Sequence, residues 1–193
     1  MSETSSGTVG GTVARQSKPD RDAVDHIVAQ WNEQWPALDV SALEVFGRMH
    51  RSYLRYQSAL AALFEQHGIN MAAFDVLAAL RRSGPPYRMT AGQLADTALV
   101  TTGGITLRVD RLEKAGLVER ERDPDDRRVV YTCLTPAGLR VVEETAADHF
   151  ANEARMLTGL TPDEQRRLAG LLRKLEQSII TAEAGDPAAV GTA

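Results

Sequence analysis

Residues 101–134 read TTGGITLRVDRLEKAGLVERERDPDDRRVVYTCL, and the fold turns on them. Ile105, Val109 and Leu112 recur at helical spacing, so one face of a short helix is apolar. Thr101 or Thr102 is suited to start that helix, and Gly116 to close it in a left-handed C-terminal conformation. Beyond it, residues 117–122 and 129–134 alternate and are rich in β-branched side chains, the pattern of a hairpin. The turn between them is Asp123-Pro124-Asp125-Asp126-Arg127-Arg128. Upstream, Thr90 is placed to cap another short helix around 94–98. Two short helices, the second leading straight into a hairpin, form the pattern of a winged helix-turn-helix.

Moving outward, the apolar spacing is mostly helical. Val24, Ile27, Val28, Trp31 and Trp35 mark one face of a helix that Pro36 stops. Ser41 and Glu44 have capping-box spacing and precede a long stripe of Phe46, Met49, Tyr53, Tyr56, Leu60 and Leu63. Gly68 ends that helix, Asn70 caps the next over 71–82, and Gly84-Pro85-Pro86 breaks the chain. On the C-terminal side, Thr135-Pro136 is a cap followed by proline at the first helical position. Thr161-Pro162-Asp163-Glu164 repeats that signal before Leu168, Leu171, Leu172, Leu175 and Ile179. The expected fold is mainly α with a small β-hairpin wing: a winged helix-turn-helix plus a helical dimerisation region. Residues 20–181 form the domain, comprising N-terminal helices over 20–66, the winged unit over 70–135 and C-terminal helices over 136–181. Residues 1–19 and 182–193 lack periodicity and read as tails.

The 193 residues hold 43% hydrophobic and 25% charged side chains, enough for a core without disulfide or metal staples. The single cysteine excludes a disulfide framework within the chain and fits a reducing compartment. The longest nearly apolar run, 71–80, is too short for a bilayer and contains Asp75. The first eighteen residues lack an apolar signal core, so a cytoplasmic location away from membranes is expected. The four histidines never share a helical turn, so no metal site is expected. No nucleophile elbow, HExxH pair or phosphate loop occurs, and neither enzymatic activity nor a cofactor is expected. The 22 Lys and Arg against 26 Asp and Glu give a net charge of −4, which taken alone argues against nucleic acid. The balance is uneven, however. Residues 81–135 carry ten basic against eight acidic side chains, and the remainder twelve against eighteen.

On the helical wheel of the second short helix, Gly103, Leu107, Arg111 and Lys114 lie opposite the buried stripe. An exposed Leu107 suits a thymine methyl in a major groove, and Arg111 a guanine edge or a phosphate. Thr101, Thr102 and the free N–H groups at the helix start suit phosphates. Gly103 and Gly104 either let the backbone approach DNA closely or precede the helix altogether, since glycine inside a helix costs about 1 kcal/mol. At the turn, Asp123 or Asp125 is expected to orient an arginine while Arg127 or Arg128 enters a minor groove. The expected DNA-binding residues are Thr90, Thr101, Thr102, Gly103, Thr106, Leu107, Arg111, Arg127 and Arg128. Arg108 stands apart. It lies about 65–70° from the centre of the buried stripe at 100° per residue, facing protein or a bound anion. Asp75 sits in an apolar run and must be paired or protonated there. A structural salt bridge would account for either residue.

The segments Arg108-Val109-Asp110-Arg111-Leu112-Glu113-Lys114-Ala115-Gly116-Leu117-Val118, Asp123-Pro124-Asp125-Asp126-Arg127-Arg128 and Leu134-Thr135-Pro136-Ala137-Gly138 resemble the MarR family of dimeric winged-helix transcription regulators. The likeness covers about residues 20–180. It implies a homodimer built by the first and last long helices, bound to a pseudo-palindromic double-stranded DNA operator, usually as a repressor. A narrower resemblance is to the urate-responsive branch. Asp25, Ile27 and Trp31, then Pro36, Leu38 and Asp39, match its additional N-terminal helix. Gly68-Ile69-Asn70 and Phe74-Asp75-Val76-Leu77 match its next signature. That resemblance implies a small-molecule effector, urate or purine-like or an aromatic acid, held by Trp31, Asp75 and Arg108. Leu107 is a departure, because the branch commonly has a polar residue there.

Two other functions fit the sequence less well. The same DNA binder could answer to a phenolic or antibiotic ligand, or to oxidation of Cys133. The position of Cys133 on the second hairpin strand favours a structural thiol. A helical scaffold that binds protein, or an enzyme, is the reading from a different class.

Overall fold

The computed structural model describes residues 21–97 and 104–185. The elements in chain order are α1 (Ala23–Gln34), α2 (Leu43–Gln66), α3 (Met71–Arg82), β1 (Arg88–Thr90), α4 (Ala91–Thr97), α5 (Ile105–Lys114), β2 (Val118–Arg122), β3 (Val130–Leu134), α6 (Pro136–Met156) and α7 (Pro162–Gly185). The chain divides into two compact units, one ending at Gln57 and one beginning at Ser58. The expected tail at 1–19 and the candidates Thr101, Thr102 and Gly103 lie outside the described residues. The expected boundary at 181 is passed by α7, which runs to Gly185 through the helix formers Ala182, Glu183 and Ala184.

In the first unit, α1 opens on a reciprocal cap. The Asp22 carboxylate accepts from the N–H groups of Val24 and Asp25, and the Asp25 carboxylate from the Asp22 N–H. Arg48 of α2 then reaches Asp22 at 2.9 Å and Asp25 at 2.7 Å. Val24 is buried against Gly47, where an added Cβ would stand 3.1 Å from Val24 Cγ1. The expected pairing of Ser41 with Glu44 gives way to a local turn. Asp39 accepts the Ser41 N–H at 2.9 Å, a shorter-range partner than one reached across a helical turn. Ile27 and Trp31 on α1, Trp35 at its C-cap, and Val45, Phe46, Met49 and Tyr53 on α2 are exposed.

The second unit holds most of the core. Asn70 caps α3 by accepting the Ala73 N–H at 2.9 Å, and α3 buries Phe74, Val76, Leu77, Ala79 and Leu80 together with Asp75. It packs against α4, α5 and α6. Phe64, Phe74 and His149 form a ring cluster with centroids 5.0–5.5 Å apart, a spacing typical of attractive aromatic packing. Thr135 caps α6 by accepting the Gly138 N–H and donates its hydroxyl to the Gly116 carbonyl, so one side chain ties α6 to the junction of α5 and β2.

The antiparallel sheet has three strands in the order β1-β3-β2, where a two-stranded hairpin was expected. β1 has only three residues, Arg88-Met89-Thr90, too few for alternation to register. It becomes a strand by pairing with β3, Arg88 opposite Cys133 and Thr90 opposite Tyr131. No residue of α7 is buried, and Leu168, Leu171, Leu172, Ile179 and Ile180 are exposed along it.

Candidate nucleic-acid interface

Helix α5 begins at Ile105, later than Thr101 or Thr102 would place it. Gly104 is its N-cap, with φ +97°, a conformation in which a Cβ is strained. Of the two explanations for the glycines, Gly104 thus supports the one in which the helix starts after them. Gly104 has no side chain with which to cap the first N–H groups of α5, groups that a helix start leaves without an intrahelical partner. Ile105, Val109 and Leu112 are buried, whereas Thr106, Leu107 and Arg111 face solvent, Leu107 at 53% exposure. A single exposed Leu is ordinary on a protein surface, so Leu107 is a candidate contact through its place beside Arg111 on the exposed face of α5.

Thr90 closes β1 and caps α4. Its hydroxyl accepts the Gln93 N–H at 3.3 Å, while Gln93 Oε1 accepts the Thr90 N–H at 2.8 Å. Among the described residues the Thr90 hydroxyl makes no further hydrogen bond, and a hydroxyl can donate as well as accept. Two acids on α5, Asp110 and Glu113, would oppose a phosphate backbone, but both engage Arg120 of β2. The Arg120–Asp110 contact is 2.5 Å, and a second guanidinium nitrogen meets Glu113. These hydrogen bonds, Asp110 foremost, raise the Arg120 pKa above its usual value. The sequence marks Asp110 and Glu113 as acids able to hold arginines, and the structure identifies Arg120 as their shared partner.

At the wing turn the expected partner is corrected. Asp126, not Asp123 or Asp125, holds an arginine. Its two oxygens lie 3.1 Å from Arg128 Nε and Nη2, and its Oδ1 also accepts the Arg128 N–H at 3.0 Å. Asp123 is already engaged, because its Oδ1 accepts the N–H groups of Asp125 and Asp126 at 2.9 Å each. Those backbone hydrogen bonds hold the Asp123 carboxyl below the usual carboxylate range. Arg127 is exposed and the Arg128 side chain is 91% exposed.

The candidate effector residues fall in both units. Trp31 lies on α1 in the first and is exposed. Asp75 and Arg108 lie in the second on α3 and α5, which pack together. Asp75 is buried. Arg108 is half-buried, and its Nη1 is buried without a hydrogen-bond partner among the described residues. A guanidinium nitrogen in that state is costly, which makes it a candidate donor to an anion. Cys133 is buried. Burial, reinforced by Glu121, pushes its thiol up to about 11. Among the described residues no group of three or more His, Cys, Asp or Glu could hold a metal ion, and no helix is long and apolar enough to cross a membrane.

Residues 67–129 match the model of the MarR family. The regulator PecS of Dickeya dadantii is 33% identical over 157 residues, covering 81% of this chain and 95% of its own. Among solved structures, Sco3205 of Streptomyces coelicolor, a MarR family regulator in complex with DNA, is 27% identical with a TM-score of 0.64. That match covers 78% of this chain and 94% of Sco3205. BpsR of Bordetella bronchiseptica, whose DNA binding is regulated by 6-hydroxynicotinic acid, is 27% identical with a TM-score of 0.60, covering 69% and 98%. The chain belongs to the MarR family of winged helix-turn-helix transcriptional regulators. It is a DNA-binding regulator, and the enzyme and scaffold alternatives are set aside, because its relatives are transcription regulators and not enzymes.

Proposed function

We propose that the protein is a homodimeric repressor released from a pseudo-palindromic operator by a small planar anion, urate or a related purine in the first instance. The observation that carries the DNA part is the division of α5 into a buried stripe and an exposed face of Thr106, Leu107 and Arg111. Two such helices enter successive major grooves, with half-sites about 10 bp apart. Arg127 and Arg128 enter the adjoining minor grooves. Thr90, the N–H groups at the start of α5, and the expected contacts Thr101, Thr102 and Gly103 bind phosphate. The DNA complex of Sco3205 supports this reading, as does a sequence balance that leaves the winged segment basic. The regulator works in the cytoplasm, where its operator is.

Arg108 supports the effector part. It belongs to α5, and its buried nitrogen has no partner among the described residues, so an anion bound there acts on the helix that reads DNA. Binding need only differ in strength between the two positions of α5 to change operator affinity. Asp75 completes the site from α3. Regulation of BpsR by 6-hydroxynicotinic acid favours an aromatic acid as the second effector class. The raised Cys133 pKa argues against a thiol trigger. The test is operator affinity measured with and without saturating urate or 6-hydroxynicotinate. A ligand-induced loss in the wild type that disappears in Arg108→Ala supports the proposal. Equal binding with and without both ligands contradicts it.

A further inference from the structure

Helix α5 presents a line of three side chains to solvent. Leu107, Arg111 and Lys114 stand one and two turns apart, so they share a face, and all three are exposed. That face lies away from Ile105, Val109 and Leu112, which are buried. The acids between them are drawn aside, since Asp110 and Glu113 both pair with Arg120 of β2. Among the described residues neither Arg111 nor Lys114 enters an ion pair. The face therefore offers two unpaired cations with one apolar side chain ahead of them. Leu107 is third in α5, in the first turn, where a recognition helix meets base edges. Leucine can neither donate nor accept a hydrogen bond, and the polar base edges of the major groove lose water against it without gaining a partner. The one apolar group that the four bases display there is the C5-methyl of thymine.

We propose that Leu107 is a specificity-determining residue that selects one thymine in each operator half-site through its C5-methyl group. Arg111 and Lys114, further along the same face, hold the helix in the groove. In the homodimer two copies of Leu107 read two symmetry-related thymines, in half-sites about 10 bp apart. This assignment rests on the reading of α5 as the helix that enters the major groove, and adds to it the chemical group that is read and the side chain that reads it.

The test is a cycle between one protein side chain and one DNA methyl group. A duplex that the wild-type protein selects from a random-sequence library is remade with deoxyuridine in place of thymine, one position at a time, which removes only the C5-methyl. Each duplex is titrated with wild type, Leu107→Gln and Lys114→Ala, and folding is checked by thermal unfolding; glutamine suits an exposed helical position. For the wild type, one thymine in each half-site should cost about 3- to 5-fold in affinity on replacement, the scale of one buried methyl group. Replacing both should cost about 10- to 25-fold. Leu107→Gln should bind the thymine and deoxyuridine duplexes equally, whereas Lys114→Ala, though weaker, should keep the discrimination. A wild-type protein indifferent to deoxyuridine at every position would overturn the proposal, as would a discrimination that Leu107→Gln retains in full. A library from which the wild type enriches no sequence would sink the reading of α5 as a recognition helix, and this proposal with it, an outcome distinct from the other two.

Discussion

Gly138 sits where α6 begins against the junction of α5 and β2. A Cβ there would lie 1.9 Å from the Leu117 carbonyl oxygen, which is backbone and has little room to yield. Gly138→Ala is expected to destabilise the fold by about 1–3 kcal/mol, the usual cost of overpacking, as read by urea denaturation. Cys133 gives a second prediction at this scale. With its thiol raised to about 11, the neutral form prevails through physiological pH and only the thiolate reacts. Alkylation by iodoacetamide in the folded protein should be slow at neutral pH and accelerate as pH rises toward that value. Fast labelling at pH 7 would return the thiol to consideration as a trigger.

Helix α5 and strand β2 illustrate what an element owes to its neighbour. Arg120 pairs with both acids on α5. Exposed ion pairs contribute little to stability, so Arg120→Ala should leave the unfolding midpoint nearly unchanged. Operator affinity should nevertheless fall about tenfold, because two freed carboxylates then face phosphates. Adding Asp110→Asn and Glu113→Gln should restore it; failure to do so would mean that Arg120 binds DNA directly. Elements of this kind differ in how far the sequence discloses them. Caps at Asn70, Thr135 and Thr161 were legible because a cap is a local event, one side chain meeting an N–H two or three residues away. The buried and exposed faces of α5 were legible because helical periodicity separates them. β1 was not, since its pairing is supplied by residues some forty positions on. Asp126 was hidden among three acids in one turn, and only the turn geometry, which occupies Asp123 with two N–H groups, singles it out.

For the whole molecule, the exposed apolar residues Leu168, Leu171, Leu172, Ile179 and Ile180 along α7 are an expected dimer surface, as the helical stripe suggested. A contiguous apolar face of this kind marks an association site. Leu172→Glu should shift the protein toward monomer in sedimentation and abolish operator binding; an unchanged dimer would place the interface elsewhere. The net charge of −4, taken alone, opposes nucleic acid. Its acidic excess lies outside the winged segment, and inside that segment Asp110, Glu113 and Asp126 are engaged by arginines. This distribution predicts DNA contact confined to a small basic edge, with weak attraction to DNA of arbitrary sequence. The central claim is that this edge reads sequence. Its most direct measurement is the affinity of the purified protein for the DNA upstream of its own gene, against a scrambled duplex of equal length, at several salt concentrations. The prediction is a preference of about a thousandfold or more that collapses in Arg111→Ala. Equal affinity for both duplexes at every salt concentration would contradict it.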